Sequence, residues 1–326
     1  AWERSEEAPS LLRSEGEGRE VRLETVRKTL FLARERRIHP FKDTKILADW
    51  NGLMIGALAA AARITDDRRY IQAAEKAARF ILHEMRDARG RLFHCYSDGE
   101  ARIPGFLNDY AFLAAGLIEL YGATLDPRYL EEALALTDIA VSLFWDGEKG
   151  GFFFAMPGPE IPYRKKEIYD GALPSGNAVM LSNLLRLART TGRPDLEEKG
   201  SALAAAFAGE ITGYPWAHTG FLCALDFAFG PSHEVVVVGR REDSGTRELI
   251  NALNKTWLPN AVVLFKPSNE VSPRITDLAP FTKDMIEVNG RPAAYVCSNG
   301  RCLRPVTSAN ELVQILSQVP SDPPSR

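Results

Sequence analysis

Cysteine is scarce in this 326-residue chain, which has four: Cys95, Cys223, Cys297 and Cys302. Cysteines this few and this scattered do not form the disulfide framework of a small secreted domain. The formal net charge is −3, and no cluster of Lys or Arg provides the basic surface that nucleic-acid binding requires. No apolar stretch is long enough to span a membrane, and no secretory signal is recognised. These absences predict a cytoplasmic protein that binds neither nucleic acid nor a membrane.

Sequence signatures of bound cofactors are missing as well. The apolar run 235–238 ends at Gly239 without the G-x-G-x-x-G pattern, so a dinucleotide site has little support. Near Cys297 and Cys302 there is no histidine and no second cysteine pair, which argues against a metal site there. We therefore expect no cofactor and no metal ion.

What the chain does contain is a threefold repeat. Three times, a loop rich in Trp, Asn, Asp, Gly and Pro leads into an almost wholly apolar helix, and an amphipathic helix follows. The loops are residues 49–52, 105–110 and 170–177. The apolar segments 53–64 and 111–123 carry one charge each, Arg63 and Glu119, which is typical of helices buried on nearly all sides. This alternation predicts two concentric layers of helices, with the polar loops together at one end.

The organisation of the chain changes near residue 230, where a β-branched run closed by Gly239 is typical of a buried strand. The elements predicted beyond that point are a strand at 235–239, a helix at 246–257, a strand at 261–265, a turn at 299–300 and a helix at about 310–316. We therefore predict a mainly α protein, with layered helices over residues 20–230 and a small α/β element over residues 231–318.

Three loop residues are candidates for proton transfer. Asp109 starts the second apolar helix and Asp170 opens the third loop, and two such carboxylates could act as acid and base in glycoside hydrolysis. The alternative for Asp109 is a helix cap, since Asp accepts backbone N–H bonds at that position. His218, just before a short apolar helix, could be a general base for epimerisation at a carbon next to a carbonyl. The alternative for His218 is a hydrogen-bonded structural group.

Aromatic and amide side chains recur at the loop ends and are candidates for substrate binding. Flat aromatic faces pack well against the apolar face of a sugar ring, and amides can both donate to and accept from hydroxyls. The alternatives are core lids for the aromatic residues and helix caps for the amides. The candidates are Trp50, Asn51, Tyr110, Trp145, Tyr169, Asn177 and Trp216.

Cys297 and Cys302 flank a tight turn with Asn-Gly at its centre. Thiols at the two ends of such a hairpin can come close enough to cross-link, so both residues are redox candidates. The alternative is that they are two small hydrophobic residues on paired strands, which is the favoured reading for a cytoplasmic protein.

Five motifs occur in order along nearly the whole chain. They are 41–47 with 50–53 (FKDTKIL and WNGL), 105–111 (GFLNDYA), 170–177 (DGALPSGN), 233–235 (HEV), and 295–302 with 305–307 (YVCSNGRC and PVT). In this order they resemble the thioredoxin-domain-containing proteins related to spermatogenesis-associated protein 20. One departure is Asn108, where that family has the first Asp of an Asp-Asp-Tyr motif, so a role that needs two adjacent carboxylates is in doubt.

The resemblance implies a thioredoxin-like domain followed by an (α/α)6 toroid similar to six-hairpin glycosidases and N-acylglucosamine 2-epimerase. This chain would then be the C-terminal part, a partial (α/α)6 toroid with a small C-terminal α/β element, and it contains no C-x-x-C. The missing N-terminal part, or its thioredoxin-like domain, would be an expected partner.

Together these features favour a carbohydrate-active protein that hydrolyses or epimerises a saccharide at the loop end of the toroid. The alternative is a non-catalytic module that binds a sugar or a protein and serves a thioredoxin-like partner. Carboxylates converging on an open cavity would favour an enzyme, whereas capped or singly exposed carboxylates would favour the module. For Asp109→Asn we expect little change in stability, because Asn caps a helix about as well as Asp.

Overall fold

The computed structural model describes residues 16–159, 161–298 and 300–318. The chain forms two compact units, Ala1–Thr44 and Lys45–Arg326. In the first unit, the helix α1 (Gly16–Glu35) carries exposed apolar side chains among many charged ones. Among the described residues, no helix is both long and apolar enough to cross a membrane.

The second unit contains the predicted layers of helices. Its helices are α2 (Ala48–Thr65), α3 (Arg68–Glu84), α4 (Leu107–Thr124), α5 (Pro127–Phe144), α6 (Gly176–Thr191), α7 (Pro194–Gly213) and α8 (Thr219–Phe229). Helices α2, α4, α6 and α8 pack side by side in that order and form the inner layer. Helices α3, α5 and α7 each pack against the inner helix that precedes them and form the outer layer. The prediction of two helical layers is confirmed.

Local sequence signals set the ends of several helices. Asp67 and Asp126 cap α3 and α5 by accepting hydrogen bonds from backbone N–H groups two residues later, which satisfies donors that have no partner inside the helix. Ser175 caps α6 in the same manner, through the N–H of Ala178. Helix α6 ends at Gly192, whose φ of 73° lies in the left-handed region that glycine adopts without strain.

Glycines allow α2 and α4 to approach until their backbones touch. A Cβ atom added at Gly52 would lie 2.5 Å from the backbone nitrogen of Leu113, and one added at Gly116 would lie 2.4 Å from the carbonyl oxygen of Gly52. Residue numbers in the two helices rise together along this contact, so α2 and α4 run parallel. Their N-terminal ends therefore lie at the same end of the layer.

A charged triad ties three inner helices together. Glu119 on α4 accepts a hydrogen bond at 2.6 Å from Arg63 on α2 and pairs at 2.7 Å with Arg186 on α6. Burial raises the pKa of Glu119, but the two guanidinium groups outweigh it and hold that pKa below its ordinary value. Arg63 and Glu119, the single charges of segments 53–64 and 111–123, thus pair with each other across the layer.

Replacing this carboxylate should destabilise the protein. For Glu119→Gln we expect a loss of about 1–3 kcal/mol in the free energy of unfolding, because two guanidinium groups lose their anion in a partly exposed site. A carboxylate whose pKa is lowered on folding stabilises the folded state at pH values above its unfolded pKa of roughly 4.3. This stabilisation is lost as the pH falls through the pKa of the folded state. Urea unfolding should therefore show a difference in the free energy of unfolding between the unmodified protein and Glu119→Gln that is smaller at acidic than at neutral pH. The control is Glu198→Gln, since Glu198 is an exposed carboxylate on α7, and its free energy of unfolding should change little. A loss equal to that of Glu119→Gln would contradict the prediction.

One face of α2 is apolar and exposed. Trp50, Met54 and Ile64 are exposed there, with Ala57 and Ala61 between them at helical spacing. We call these five residues the α2 stripe. Helices α4 and α6 each contact an inner helix on both sides, whereas α2 has an inner neighbour on the α4 side alone among the described residues of this unit. The stripe is therefore a helix face without a packing partner.

A small antiparallel sheet lies in the loops between the helical pairs. It consists of β1 (Ile46–Leu47), β2 (Phe93–Ser97) and β3 (Glu100–Pro104), in the order β1-β2-β3. Leu47 pairs with Cys95, so β2 runs beside the segment that leads into α2. The register of this pairing brings β2 to the start of an inner helix.

A second sheet follows the helical layers. Its elements are β4 (His233–Gly239), α9 (Ser244–Lys255), β5 (Ala261–Pro267), α10 (Arg274–Leu278), β6 (Ala293–Ser298), β7 (Arg301–Cys302) and α11 (Ala309–Gln318). The strand order is β5-β4-β6-β7, with β4 parallel to β5 and antiparallel to β6. The small α/β element is confirmed, and the proposed boundary near residue 230 falls between α8 and β4.

The two faces of β4 belong to different cores. Val236 and Val238 pack into the core of the helical layers. Val235 and Val237 pack into a smaller core that includes residues of α9 and α11, such as Leu249. Because successive side chains of a strand point to opposite faces, a continuous apolar run is needed where both faces are covered. Burial of both faces of β4 explains the run of four valines at 235–238.

Candidate functional site

The N-terminal ends of the inner helices meet at one end of the layer. The backbone N–H of Asp49, at the start of α2, donates to the Asp109 carboxylate at the start of α4 at 3.1 Å. A Cβ atom added at Gly176, the first residue of α6, would lie 2.3 Å from the Asn108 side chain, and one at Gly220 in α8 would lie 3.5 Å from Ala178. The three motifs of the repeat are therefore together. Residues 49–52 and 107–110, which were predicted as loops, form the first turns of α2 and α4.

Asp109 is fully buried, with 0% exposure, and its carboxylate is saturated with hydrogen bonds. One oxygen accepts from the N–H of Phe106 at 2.8 Å, and the other accepts from the N–H of Asp49. The Nδ1 atom of His94 lies 3.0 Å and 3.2 Å from the two oxygens. A carboxylate with no exposed surface does not touch a substrate in this structure, so its geometry suits helix capping and the orientation of His94.

His94 is the site residue that sequence reasoning missed. Its side chain, on β2, is 24% exposed, and the edge of its ring packs against Phe106 at 5.3 Å. Among the described residues, nothing forms a hydrogen bond with its Nε2 atom. The bond to Asp109 raises the pKa of His94, against the opposing effects of burial and of Lys45. The sequence signal was a histidine in an alternating strand next to a loop motif, which on its own is weak.

Asp49 is the third member of this cluster and is also almost completely buried. One of its oxygens accepts from the N–H of Trp50 at 2.7 Å. Burial raises the pKa of Asp49, and the negative charge of Asp109 raises it further. Ligand atoms of Asp49, His94 and Asp109 lie within 4.8 Å of one another, so this group could hold a cation, whereas no metal ion was expected from the sequence. A cation bound through Nδ1 would displace the proton that His94 shares with Asp109.

The pairing of His94 with Asp109 predicts a specific pH dependence. A histidine whose pKa is raised on folding contributes stability below its unfolded value of about 6.5 and loses it as the pH rises through the folded value. The stability lost in His94→Gln should therefore be larger near pH 5.5 than near pH 8.5, values chosen on either side of about 6.5. Urea unfolding at the two pH values measures this difference. A loss that is independent of pH would mean that the two groups do not share a proton.

The structure changes the expectation for Asp109→Asn. An amide offers one acceptor oxygen, and its NH2 group would face a backbone N–H or the His94 imidazole. We therefore expect a loss of about 1–3 kcal/mol in the free energy of unfolding, the usual cost of leaving a buried donor without a partner. The same replacement at Asp126, a half-buried cap with one backbone partner, should cost less. Equal losses at the two positions would show that Asp109 is an ordinary cap.

Asp170 and His218 form a second cluster at the ends of α6 and α8. The two oxygens of Asp170 accept from the backbone N–H groups of Ser175 at 2.8 Å and of Gly220 at 2.7 Å. His218 is 3% exposed, and its Nδ1 lies 2.9 Å from the carbonyl oxygen of Ile168. Its Nε2 has no hydrogen bond to a described residue. Asp170 thus links two helix starts, and His218 is held in the same manner as His94, through Nδ1.

Three of the aromatic candidates are available to a ligand. Trp50, Tyr169 and Trp216 are all exposed. Trp216 also packs against Tyr214 at 4.5 Å between ring centroids. Trp50 lies at the start of α2, Tyr169 precedes Asp170, and Trp216 lies in a 3₁₀ turn two residues before His218. Each one adjoins one of the two polar clusters in sequence.

The other binding candidates have partners inside the protein. The Tyr110 hydroxyl is buried and accepts from the N–H of Leu92 at 2.8 Å. Trp145 is half-buried and packs edge-on against Phe152. Asn177 is buried and exchanges hydrogen bonds with the backbone of Phe152, whereas the Asn51 amide donates to the carbonyl oxygen of Leu47. In this structure Tyr110 and Asn177 hold neighbouring segments onto helices.

Cys297 and Cys302 form a disulfide bond across the β6–β7 hairpin, where they are paired residues. Of the two sequence interpretations, cross-linked thiols or two small hydrophobic residues, the structure has the first. Cys95 and Cys223 are free.

Sequence comparison now identifies the relatives of this chain. No family model matches it. It is 35% identical over 301 residues to spermatogenesis-associated protein 20 of Homo sapiens, which covers 88% of this chain and 38% of that protein. The protein of the same name in Rattus norvegicus is 34% identical over 310 residues, covering 91% and 39%. The chain is homologous to this family. The resemblance inferred from the five motifs is confirmed, and the chain spans about two fifths of the length of these relatives.

Among solved structures, an α-mannanase of Bacteroides thetaiotaomicron superposes with a TM-score of 0.48 at 14% identity, covering 72% of this chain and 68% of that one. A cellobiose 2-epimerase of Bacillus thermoamylovorans gives a TM-score of 0.45 at 15% identity, with coverages of 81% and 67%. Likeness at this level carries no conclusion about activity.

Proposed function

We propose that this protein transfers protons on a sugar, at a carbon next to a carbonyl group, with His94 and His218 as the proton-transfer groups. The reaction class is epimerisation or isomerisation of a reducing sugar. The observation that supports it is the shared arrangement of the two imidazoles. Each is anchored through Nδ1, one to a carboxylate and one to a backbone carbonyl, so that Nε2 is left as the atom able to exchange a proton.

The arrangement of the carboxylates favours this reaction over glycoside hydrolysis. Hydrolysis needs one carboxylic acid that protonates the leaving group and one carboxylate that acts as a base or nucleophile. Asp109 has no exposed surface, and both oxygens of Asp170 accept backbone N–H bonds. Neither is free to exchange a proton without breaking a helix start. We infer that Asp109 acts through His94, as a positioning residue.

The choice of a sugar as the substrate rests on the exposed aromatic residues. Trp50, Tyr169 and Trp216 present flat faces to solvent near the two clusters in sequence. Such faces pack against the C–H groups of a sugar ring while polar neighbours serve its hydroxyls. Exposed apolar surface is unfavourable in water, so three exposed aromatic residues near the two clusters suit a stacking role.

A second candidate function is a non-catalytic module of a longer protein, which binds a thioredoxin-like domain or other helices. Two observations favour it. The α2 stripe is an exposed apolar helix face of the kind that marks an interaction site. Asp109 and Asp170 are both engaged as caps, which is the arrangement expected of a scaffold.

Incubation with a panel of reducing mono- and disaccharides in D2O discriminates between the two functions. If the proposal is correct, proton NMR should show loss of the C2–H signal and formation of an epimer or ketose in at least one sample. New reducing ends without exchange would indicate hydrolysis instead. Sugar binding detected by calorimetry without any turnover, or neither binding nor turnover, would favour the module.

A further inference from the structure

The Cys297–Cys302 disulfide lies on the surface of the second sheet, outside the cluster of helix ends. The two residues are five positions apart, and they pair directly across the antiparallel strands β6 and β7. We propose that this disulfide is a site of thiol–disulfide exchange, which takes an anionic thiol as its partner.

The two sulfurs differ in accessibility. Cys297 is 4% exposed and belongs to the core, whereas Cys302 is an exposed residue. Exchange begins when a thiolate attacks one sulfur of a disulfide, and the attack requires access. The reaction therefore starts at Cys302, and Cys297 is the leaving group.

The surroundings of Cys302 favour an anionic partner. Arg301 and Arg304 flank it in sequence, and both are exposed. Among the described residues, neither arginine has a carboxylate within salt-bridge distance. Two unpaired cations attract thiolates and carboxylates at low ionic strength. Leu303, 52% exposed, adds an apolar contact next to the sulfur.

The position of β7 also suits the approach of a partner. β7 has two residues and is the last strand in the order β5-β4-β6-β7, so one side of it has no neighbouring strand in the part of the chain that the structure describes. Edge strands offer free backbone groups to an extended segment of another chain. A cysteine in an acidic extended peptide could reach Cys302 along this edge.

A purely stabilising role accounts poorly for this disulfide. The stabilisation from a cross-link grows with the length of the loop that it closes, and here the cysteines are five positions apart. The hairpin is also held by other contacts, including the hydrogen bond from the N–H of Leu303 to the carbonyl oxygen of Val296 at 2.9 Å. The hairpin can therefore persist when the disulfide opens.

The proposed reaction balances in two steps. The partner thiolate attacks Sγ of Cys302, the bond to Cys297 breaks, and the Cys297 thiolate leaves and takes up a proton. A second partner thiolate then attacks the partner sulfur of the mixed disulfide and releases the Cys302 thiolate. Two partner thiols are oxidised to a disulfide, and Cys297 and Cys302 are reduced to thiols.

The test uses the full chain in a Cys95→Ser/Cys223→Ser background, so that no free thiol interferes. Native protein is treated with reduced glutathione, neutral 2-mercaptoethanol or cationic cysteamine, and the open fraction is measured by alkylation and mass spectrometry. We expect the disulfide to open without denaturant. When each rate is divided by the thiolate concentration of the reagent, glutathione should react fastest. Arg301→Gln/Arg304→Gln should slow the glutathione reaction several-fold, and the difference should vanish in about 1 M salt, where the Debye length is about 3 Å.

A matched control is Lys76→Gln/Arg79→Gln on α3, which removes the same charge from exposed positions and should leave the rate unchanged. A peptide with one cysteine among acidic residues separates a protein partner from a small thiol, since edge binding should make the peptide react faster than glutathione. A slower peptide would assign the site to small thiols.

Two results would overturn the proposal. One is a disulfide that opens under denaturing conditions alone, which makes it a structural cross-link. The other is equal reactivity of the remaining thiol in the variants Cys297→Ser and Cys302→Ser. The Cys297 thiol that remains in Cys302→Ser should react more slowly, because Cys297 is buried. The wild-type measurement requires no cysteine substitution in the hairpin, so misfolding of these variants would not affect the first criterion.

Discussion

His94→Gln should reduce the rate of sugar proton exchange about 10²- to 10⁴-fold, the usual contribution of one general acid or base. The glutamine amide can still donate a hydrogen bond to Asp109, so the starts of α2 and α4 remain linked. An amide cannot accept and return a proton, so the chemical step is lost while the fold is retained. The measurement is the initial rate of C2–H exchange in D2O, with circular dichroism to verify the fold.

The matched control is His83→Gln. His83 lies on the outer helix α3 and is exposed, so the rate should be unchanged. His218→Gln should reproduce the loss seen for His94→Gln if both imidazoles take part. Full exchange in the His94 variant would remove this residue from the site, and with it the strongest support for an enzyme.

Gly52→Ala should lower the free energy of unfolding by about 2–3 kcal/mol, near the upper end of the usual cost of overpacking. The added Cβ would lie 2.5 Å from backbone atoms of Leu113 and Phe112, and backbone cannot yield as the end of a side chain can. Helix α2 would have to move away from α4, which would also strain the bond between Asp49 and Asp109. Alanine has a higher helix propensity than glycine, by about 1 kcal/mol. The expected loss in the free energy of unfolding is the value that remains after this favourable contribution.

Gly209→Ala is the control within the same fold. Gly209 lies in the outer helix α7, and a Cβ atom there meets nothing within 4 Å. We expect a gain of about 0.5–1 kcal/mol from helix propensity alone. Urea unfolding of the two variants should therefore change in opposite directions. A stabilising Gly52→Ala would show that the two inner helices are further apart than this structure has them.

Much of the fold could be predicted from local sequence patterns. The apolar segments 53–64 and 111–123 form most of the inner helices α2 and α4, because helices with so little polar surface pack in the interior. The β-branched run beginning at Val235 is a strand with both faces covered, for the same reason. The α2 stripe departs from this expectation, since Met54 and Ile64 are exposed. The three motifs of the repeat lie together because each one stands at the start of an inner helix, and these helices run in the same direction.

The candidate site was predicted less well, because its members come from separate segments. Asp109 was identified from its place at a helix start, but nothing local shows that its carboxylate accepts bonds from Phe106, Asp49 and His94 at once. His94 is 15 positions before Asp109 in sequence, and only the register of β2 beside β1 brings its ring to α4. A pattern in one segment carries no information on which side chain of another segment faces it.

The sequence by itself therefore determined which segments are helices or strands, which helices form the inner layer, and to which family the chain is related. Tertiary structure alone decided the strand order β5-β4-β6-β7, the disulfide between Cys297 and Cys302, and the pairing of His94 with Asp109. The reason is physical: burial is dictated by the composition and periodicity of each segment, whereas contacts between segments depend on register and on the close approach that residues such as Gly52 allow.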